Sequence, residues 1–445
     1  MIRQTASIAS ALGRRSARAF IRPSAAMADQ TIRSFAVPTK VEYDIIPKSD
    51  LGPVEEFSVI FTNRSLNLMA PPFQKVMTDL NSLLKQTYGA AKAVIIPGSG
   101  TYGMEATARQ FGTNKKCMVI RNGWFSFRWT EIFEFGDIPS ETIVHKARPI
   151  DPTGDPSNRS YTPIPIDELI ESIRTEKPDV LFAPHTETST GILLSDDYIT
   201  KAADAMHEIG GLFVLDCVAS GTVWADMEKL GHDVVISAPQ KGWTGPACAG
   251  LVMLSDRASK VMDEGDFGTS FSMSLKKWSA IMDAYEAGGF GYHTTMPTDA
   301  LRDYHEISVE TMEFGMQKLN DAQIELGARA REMFESKGLK SVAGKGFESA
   351  GVLVFYSPDG MSNLKILNRF KDQGIQIAMG VPWRIDEPEG LNTFRIGLFG
   401  LDKLGDIEGT LATMEKAVDN VLADERKASA LKDAMKAGVD PRYAA

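Results

Sequence analysis

Cysteine is scarce: Cys117, Cys217 and Cys248 are the only three in 445 residues, and none belongs to a CxxC pair. That is too few, too widely spaced, for a disulfide framework or a zinc ribbon, and a reducing compartment is the simplest setting. Long hydrophobic runs are missing as well. No stretch of about eighteen apolar residues occurs, which argues against a transmembrane helix and for a soluble chain. Positive charge is in deficit: 48 Lys and Arg stand against 58 Asp and Glu, a net charge of −10. An acidic balance speaks against nucleic acid as a partner, because phosphate-backbone binding needs a basic surface. A small, locally basic pocket for anions remains compatible with it.

Acidic residues are absent from the first 28 positions, where Arg3, Arg14, Arg15, Arg18 and Arg22 alternate with Ala, Ser and Ile. This composition reads as an organellar import leader over residues 1–28, cleaved on entry, with a plain basic tail as the simpler alternative. Arginine and apolar residues can share one amphipathic helix, so the mitochondrial matrix is the expected destination and a plastid the lesser one. The C-terminal Arg442-Tyr-Ala-Ala445 is not a peroxisomal address.

With 43% hydrophobic residues the chain can bury a large core and divide into more than one unit. Short apolar runs at 94–97, 117–120, 179–183, 212–215, 233–236 and 249–254 do not alternate with polar residues, so they read as strands buried on both faces. Helical patterns at 166–173 and 198–209 lie between them. The rhythm predicts an α/β fold with a mostly parallel central sheet. After about residue 300 the pattern changes to one long helical stretch over 301–337. Strands at 351–356, 375–378 and 393–396 and helices at 362–372 and 403–424 follow. The expected division is an N-terminal arm (29–60), a large domain (61–300), a smaller C-terminal α/β domain (301–426) and a charged, alanine-rich tail (427–445).

The most informative stretch is Ile236-Ser-Ala-Pro-Gln-Lys241, a lysine in a short polar turn directly after a buried strand. Most lysines are solvated surface groups, but burial can lower the amine's pKa until it attacks a carbonyl. A second strand, 212–215, ends in Asp216. A lysine for an aldehyde and a carboxylate for a pyridine nitrogen are the two groups a pyridoxal ring needs. The strand at 94–97 runs through Gly98-Ser-Gly-Thr-Tyr-Gly103 into a helical pattern, a turn that can present backbone N–H groups to a phosphate. As a motif alone the turn is weak, and no GK[ST] follows, so a P-loop reading does not hold. Asn122-Gly-Trp-Phe-Ser126 and His185-Thr-Glu-Thr-Ser-Thr-Gly191 close two further strands. Taken singly, the two aromatics read as core and the hydroxyl cluster as a turn. Together the clusters gather at the carboxyl edge of the sheet, where such folds bind ligands.

In these motifs, and in Tyr292-His-Thr-Thr-Met-Pro297 and Phe394-Arg-Ile-Gly-Leu398, the chain resembles the class V, fold type I pyridoxal-phosphate aminotransferases, nearest the alanine/serine–glyoxylate branch. The resemblance spans about residues 61–421. It implies that pyridoxal 5'-phosphate is the cofactor, that Lys241 bonds its aldehyde and then carries the substrate proton, and that Asp216 holds its ring nitrogen. It further implies Phe125 as the stacking aromatic with Trp124 beside it, Val218 on the opposite ring face and Thr188 at the ring hydroxyl. Gly100, Thr101 and Gln240, with Ser99 among them, would serve the phosphate. Tyr292 and Thr295 would reach the phosphate of a neighbouring subunit, making the site a property of a homodimer. Arg395 would clamp the substrate carboxylate.

The implied reaction moves an amino group from a small amino acid, alanine or serine, to glyoxylate or another small 2-oxo acid by a ping-pong mechanism. The family's N-terminal Pro-Gly-Pro opening is absent, which leaves the N-terminal arm without a template. Arg384 could present a second cation to a donor, although an ion pair with Asp386 or Glu387 is the simpler reading. The alternatives are a cysteine desulfurase or lyase of the same fold and a catalytically silent dimeric scaffold. Gln240 in place of a histidine before the lysine, and the absence of any cysteine after Cys248, weigh against the desulfurase. The joint presence of Lys241 and Asp216 weighs against the scaffold.

Overall fold

Valine, isoleucine and leucine in unbroken runs make strands that must be covered on both faces, and the computed structural model shows seven of them side by side. The structure describes residues 54–436 except 267, 359 and 360. The leader at 1–28, most of the N-terminal arm and the last nine residues lie outside the described residues. In chain order the strands are β1 (Lys92–Pro97), β2 (Lys116–Arg121), β3 (Glu141–Lys146), β4 (Val180–Pro184), β5 (Leu212–Asp216), β6 (Val234–Ser237) and β7 (Ala249–Leu254).

Their spatial order is β1-β7-β6-β5-β4-β2-β3. All neighbours pair in parallel except at β7, which runs antiparallel between β1 and β6, Val252 facing Val94 on one side and Ile236 on the other. The sheet is therefore mostly parallel, as the sequence predicts. β3 was not foreseen because Glu141-Thr-Ile-Val-His-Lys146 is the edge strand and keeps one side partly wet. Its polar composition hides it from a search for apolar runs.

The carboxyl ends of the parallel strands all open toward one edge, and each motif follows one of them. Helix α1 (Pro71–Tyr88) precedes the sheet; α2 (Gly100–Phe111) begins three residues after β1, and α3 (Trp124–Gly136) begins three residues after β2. Two glycines allow α2 to start hard against the sheet. A Cβ on Gly250 of β7 would stand 2.6 Å from the Ser99 carbonyl oxygen and 2.7 Å from the Gly103 nitrogen. One on Gly100 would stand 2.7 Å from a Val218 methyl.

Beyond residue 300 the expected long helix is interrupted. It is two helices, Thr298–Phe314 and Met316–Ser336, separated by Gly315 at φ 104°, a conformation that L side chains disfavour. The small sheet comprises β8 (Val352–Tyr356), β9 (Ala378–Met379) and β10 (Thr393–Gly397), in the order β8-β10-β9. The strand expected at 375–378 shrinks to two residues and shifts toward Met379, because Gly374 at φ 81° is still turning the chain. The final helical region breaks at Asp406 into Leu401–Gly405 and Ile407–Lys436.

Hydrophobic packing follows the same change of pattern. One cluster joins residues from Leu66 to Tyr304 around the large sheet, and a second joins residues from Leu319 to Val421 around the small one. No helix among the described residues is long and apolar enough to cross a membrane.

Candidate active site

Asp216 ends β5 with its side chain 7% exposed and turned back on its own loop, where Oδ1 accepts the Val218 amide at 3.0 Å. Burial pushes its carboxyl up to about 6; the Val218 hydrogen bond and the charges of Arg128 and Lys241 resist, and the Glu187 carboxylate adds to the rise. Lys241, half-buried after β6, shows the opposite effect. Burial lowers its ammonium below the ordinary lysine value, the Arg395 guanidinium lowers it further, and Asp216 opposes both. Lys241 is thus close enough to feel the charges of both Asp216 and Arg395, groups from two other elements. Lys241 Nζ stands 5.7 Å from the centre of the Phe399 ring.

Arg395 lies in the middle of β10, and its Nε donates to the Met379 carbonyl at 2.8 Å. That bond fixes the guanidinium while leaving its two Nη groups for a planar, two-pronged partner such as a carboxylate. The guanidinium carbon is 5.7 Å from the Phe125 ring centre. Phe125 occupies the second position of α3, and the start of that helix is held by an unusual anchor. Glu187, fully buried in the short strand Thr186–Glu187 just beyond β4, accepts five hydrogen bonds: from Phe125 N (3.1 Å), Ser126 N (2.9 Å), Ser126 Oγ (2.6 Å), Ser189 N (3.0 Å) and Ser189 Oγ (2.8 Å). Ser189 Oγ in turn accepts the Trp124 amide at 2.9 Å. Carboxylate and hydroxyl together satisfy the first N–H groups of the helix and meet the positive end of its dipole. Gly123 is required beside them, since a Cβ there would fall 2.0 Å from Ser189 Oγ and 2.7 Å from the Glu187 carboxyl carbon.

At the opposite wall, α2 starts with Gly100 and Thr101. Arg128, one turn after Phe125 on α3, donates from Nη1 to Thr101 Oγ1 at 3.1 Å, and its guanidinium carbon lies 5.2 Å from the Phe125 ring centre. Ser99 precedes the helix in extended conformation and makes no side-chain cap. Val218 packs on Gly100, and Thr188 is half-buried in the turn between Glu187 and Ser189. Gln240, next to Lys241, has a buried amide oxygen with no partner among the described residues.

Contacts and charge coupling thus join Lys241, Asp216, Arg395, Phe125, Thr101, Gly100 and Val218. Tyr292 and Thr295 are not joined to them: both are exposed and bond weakly to each other, Tyr292 Oη to Thr295 Oγ1 at 3.4 Å. The ion pair suggested for Arg384 is replaced by other contacts. Glu387 accepts the backbone amides of Trp383, Arg384 and Ile385, and Asp386 pairs with Lys146 at 2.6 Å. The Arg384 guanidinium, at a residue with φ 63°, lies 5.3 Å from the Trp124 ring centre instead.

Three participants were not read from the sequence: the anchoring role of Glu187, Arg128, and His185. His185 is buried, its Nδ1 is 2.8 Å from Ser220 Oγ, and burial lowers its pKa to about 4, so it stays neutral at neutral pH. A glutamate set among hydroxyls three residues past an apolar strand is the signal that could have found Glu187. For Arg128 the signal was its i+3 spacing from Phe125.

The pocket can be tested against the group that its residues suggest. A buried carboxylate with a raised pKa suits a protonated ring nitrogen. A half-buried lysine with a lowered pKa suits an aldehyde, and the backbone amides at the start of α2, at Gly100 and Thr101, suit a phosphate. These residues fit pyridoxal phosphate.

No protein-family model matches the chain. Among curated proteins it is similar to alanine–glyoxylate aminotransferase 1 of Saccharomyces cerevisiae, 25% identical over 342 residues, covering 74% of this chain and 83% of that one. It is also similar to serine–glyoxylate aminotransferase of Methylorubrum extorquens, 24% identical over 335 residues, 73% of this chain and 79% of that one. Among solved structures, alanine–glyoxylate aminotransferase from Nostoc sp. superposes with a TM-score of 0.67 at 19% identity, covering 80% of this chain and 89% of that chain.

The raised carboxyl of Asp216 gives a stability prediction. Its folded pKa lies above the unfolded value of 3.8. In the cofactor-free protein this group therefore costs stability as pH rises from about 4 through 6, and the cost is complete above that window. Asp216→Asn, which keeps an acceptor for Val218 N–H, should be the more stable protein at pH 8, by up to about 3 kcal/mol, and equal to wild type below pH 4. Denaturant titration across that range checks it; a pH-independent difference would contradict the assigned shift. Fold, pocket and relatives agree: the chain is similar to alanine– and serine–glyoxylate aminotransferases and shares the fold of the Nostoc enzyme.

Proposed function

We propose that the chain transfers an amino group from a small amino acid, alanine or serine, to glyoxylate or another small 2-oxo acid, in two half-reactions at one site. The observation that carries this reading is that Lys241, in the turn after β6, feels the charges of both Asp216 of β5 and Arg395 of β10. Bound there, pyridoxal phosphate supplies an electron sink for the pair of electrons released when the substrate Cα loses its proton. The chain does the rest. Asp216 would hold the proton on the ring nitrogen. Arg395 takes the substrate carboxylate on its free Nη groups and so fixes which Cα bond stands over the ring. The Lys241 amine, whose hold on its proton is weakened by burial and by Arg395, would accept the Cα proton and pass it on. Phe125 covers the ring and excludes water from one face.

A desulfurase would need a mobile nucleophilic thiol. Cys117, Cys217 and Cys248 are all buried, and burial raises each of their pKa values. The site is taken to be shared between two copies of the chain. Tyr292 is 57% exposed, and Phe271 (73%) and Phe290 (47%) leave further aromatic surface open in the same segment of the chain, as a partner subunit would need. The leader at 1–28 is proposed to direct the protein to the mitochondrial matrix, on the strength of its arginine-rich, acid-free composition.

Lys241→Ala should lose the covalent link to the cofactor, seen as loss of visible absorbance, with transamination reduced by at least about 10²-fold; a variant as fast as wild type contradicts the assignment. Co-expressing that chain with a Tyr292→Ala, Thr295→Ala chain should give more activity than the two parents summed, because one hybrid site is then complete. Strict additivity would refute shared sites. Residues 1–28 fused to a fluorescent reporter should carry it into mitochondria, and a diffuse signal would refute the leader.

A further inference from the structure

The candidate phosphate cup is electrically incomplete. Gly100, Thr101 and Gln240 are uncharged, whereas a phosphate monoester carries between one and a half and two negative charges at neutral pH. Helix N-terminal amides offset part of that charge and no more, about half an elementary charge for a whole helix. Tyr292 and Thr295, the groups expected from a second copy, add hydroxyls but no cation.

Arg128 is the cation that touches the cup. Its Nη1 donates to Thr101 Oγ1 at 3.1 Å, and its guanidinium carbon lies 5.2 Å from the Phe125 ring centre. It is half-buried on α3, and among the described residues no carboxylate lies within ion-pair distance of it. A half-buried guanidinium without an anion is costly unless an anion arrives with the ligand. Its charge also reaches Asp216, where it offsets part of the effect of burial. The Arg128 fork therefore connects the two features that would hold opposite parts of the cofactor, the stacking ring and the phosphate cup.

We propose that Arg128 is a further cofactor-binding residue, the cation that balances the phosphate charge while holding Thr101 and Phe125 in register. This rests on the pyridoxal-phosphate reading of the site. It sets a rule for ligands: the pocket selects a phosphorylated aromatic aldehyde over the same aldehyde without phosphate, and Arg128 carries much of that selection.

The test compares pyridoxal phosphate with pyridoxal, which differ in the phosphate alone, by titrating each into the cofactor-free full-length protein and following tryptophan fluorescence. Arg128→Met should weaken pyridoxal phosphate by about 10- to 100-fold, the loss of one charge-assisted hydrogen bond, and leave pyridoxal within about twofold. Inorganic phosphate should compete with pyridoxal phosphate on the wild type and poorly on the variant. Arg128→Lys, a smaller change that guards against misfolding, should shift the same ratio in the same direction by less. An unchanged ratio of the two affinities in both variants overturns the proposal, and so does an equal loss for both ligands, which would assign Arg128 to packing alone. A wild type that shows no preference for the phosphorylated ligand would instead bring down the cofactor reading itself.

Discussion

The site depends on a buried carboxylate. Glu187 sits in the short strand Thr186–Glu187 beyond β4, but its five hydrogen bonds gather the first turn of α3 and the turn at Ser189, so one acidic group sets where the Phe125 ring stands relative to the sheet. Each bond is charge-assisted, and the alternative for a carboxylate at that depth is a desolvation penalty of several kcal/mol. That makes the arrangement close to all-or-none. Losing one donor does not merely weaken the anchor; it leaves the others sharing an under-solvated charge. Gly123 shows how tightly the group is enclosed, because not even a methyl fits between the loop and Ser189 Oγ.

That anchor also bears on the electrostatics of the pocket. Burial is the larger effect, raising Asp216 and lowering Arg395; Glu187 adds to the first and opposes the second. Arg395 in turn, behind burial, helps to lower Lys241. The result is a carboxyl and an amine whose pKa values are displaced toward each other, which is the condition for one to hold a proton on a ring and the other to move one. The strands that lead to these residues are parallel neighbours, β4, β5 and β6, and their carboxyl ends open on the same edge. Arg395 comes from the second sheet, so the reacting groups are held by both parts of the fold.

How much of this was legible beforehand depended on how local each signal was. The six apolar runs of the large sheet were legible because a strand buried on both faces must be apolar throughout. Edge strand β3 was not, since one wet side dilutes the pattern. The break at Gly315 hid inside a sequence that reads helical on either side, and a single glycine in a helical pattern is tolerated often enough to be passed over. Asp216 announces itself by ending a buried strand, and Lys241 by standing in the turn directly after one. Arg128 and the anchoring role of Glu187 do not, because what they do is defined by partners some 27 and 60 residues away along the chain. Only folding brings those partners within reach. The same limit applies to Arg384, whose neighbouring acids suggested an ion pair until the turn placed Glu387 on three backbone amides and left the guanidinium over Trp124.

The central claim is that one pocket holds a lysine, a ring-binding aspartate and a carboxylate-binding arginine in working order. The most direct test is the visible absorption spectrum of the purified protein loaded with pyridoxal phosphate, before and after alanine or serine is added without any oxo acid. The account predicts a visible band that is lost with one of these donors, as the amino group passes to the cofactor, and that returns when glyoxylate is supplied. A band that forms but persists with every amino acid tried would contradict the transamination reading, and a protein that forms no band at all would contradict the site.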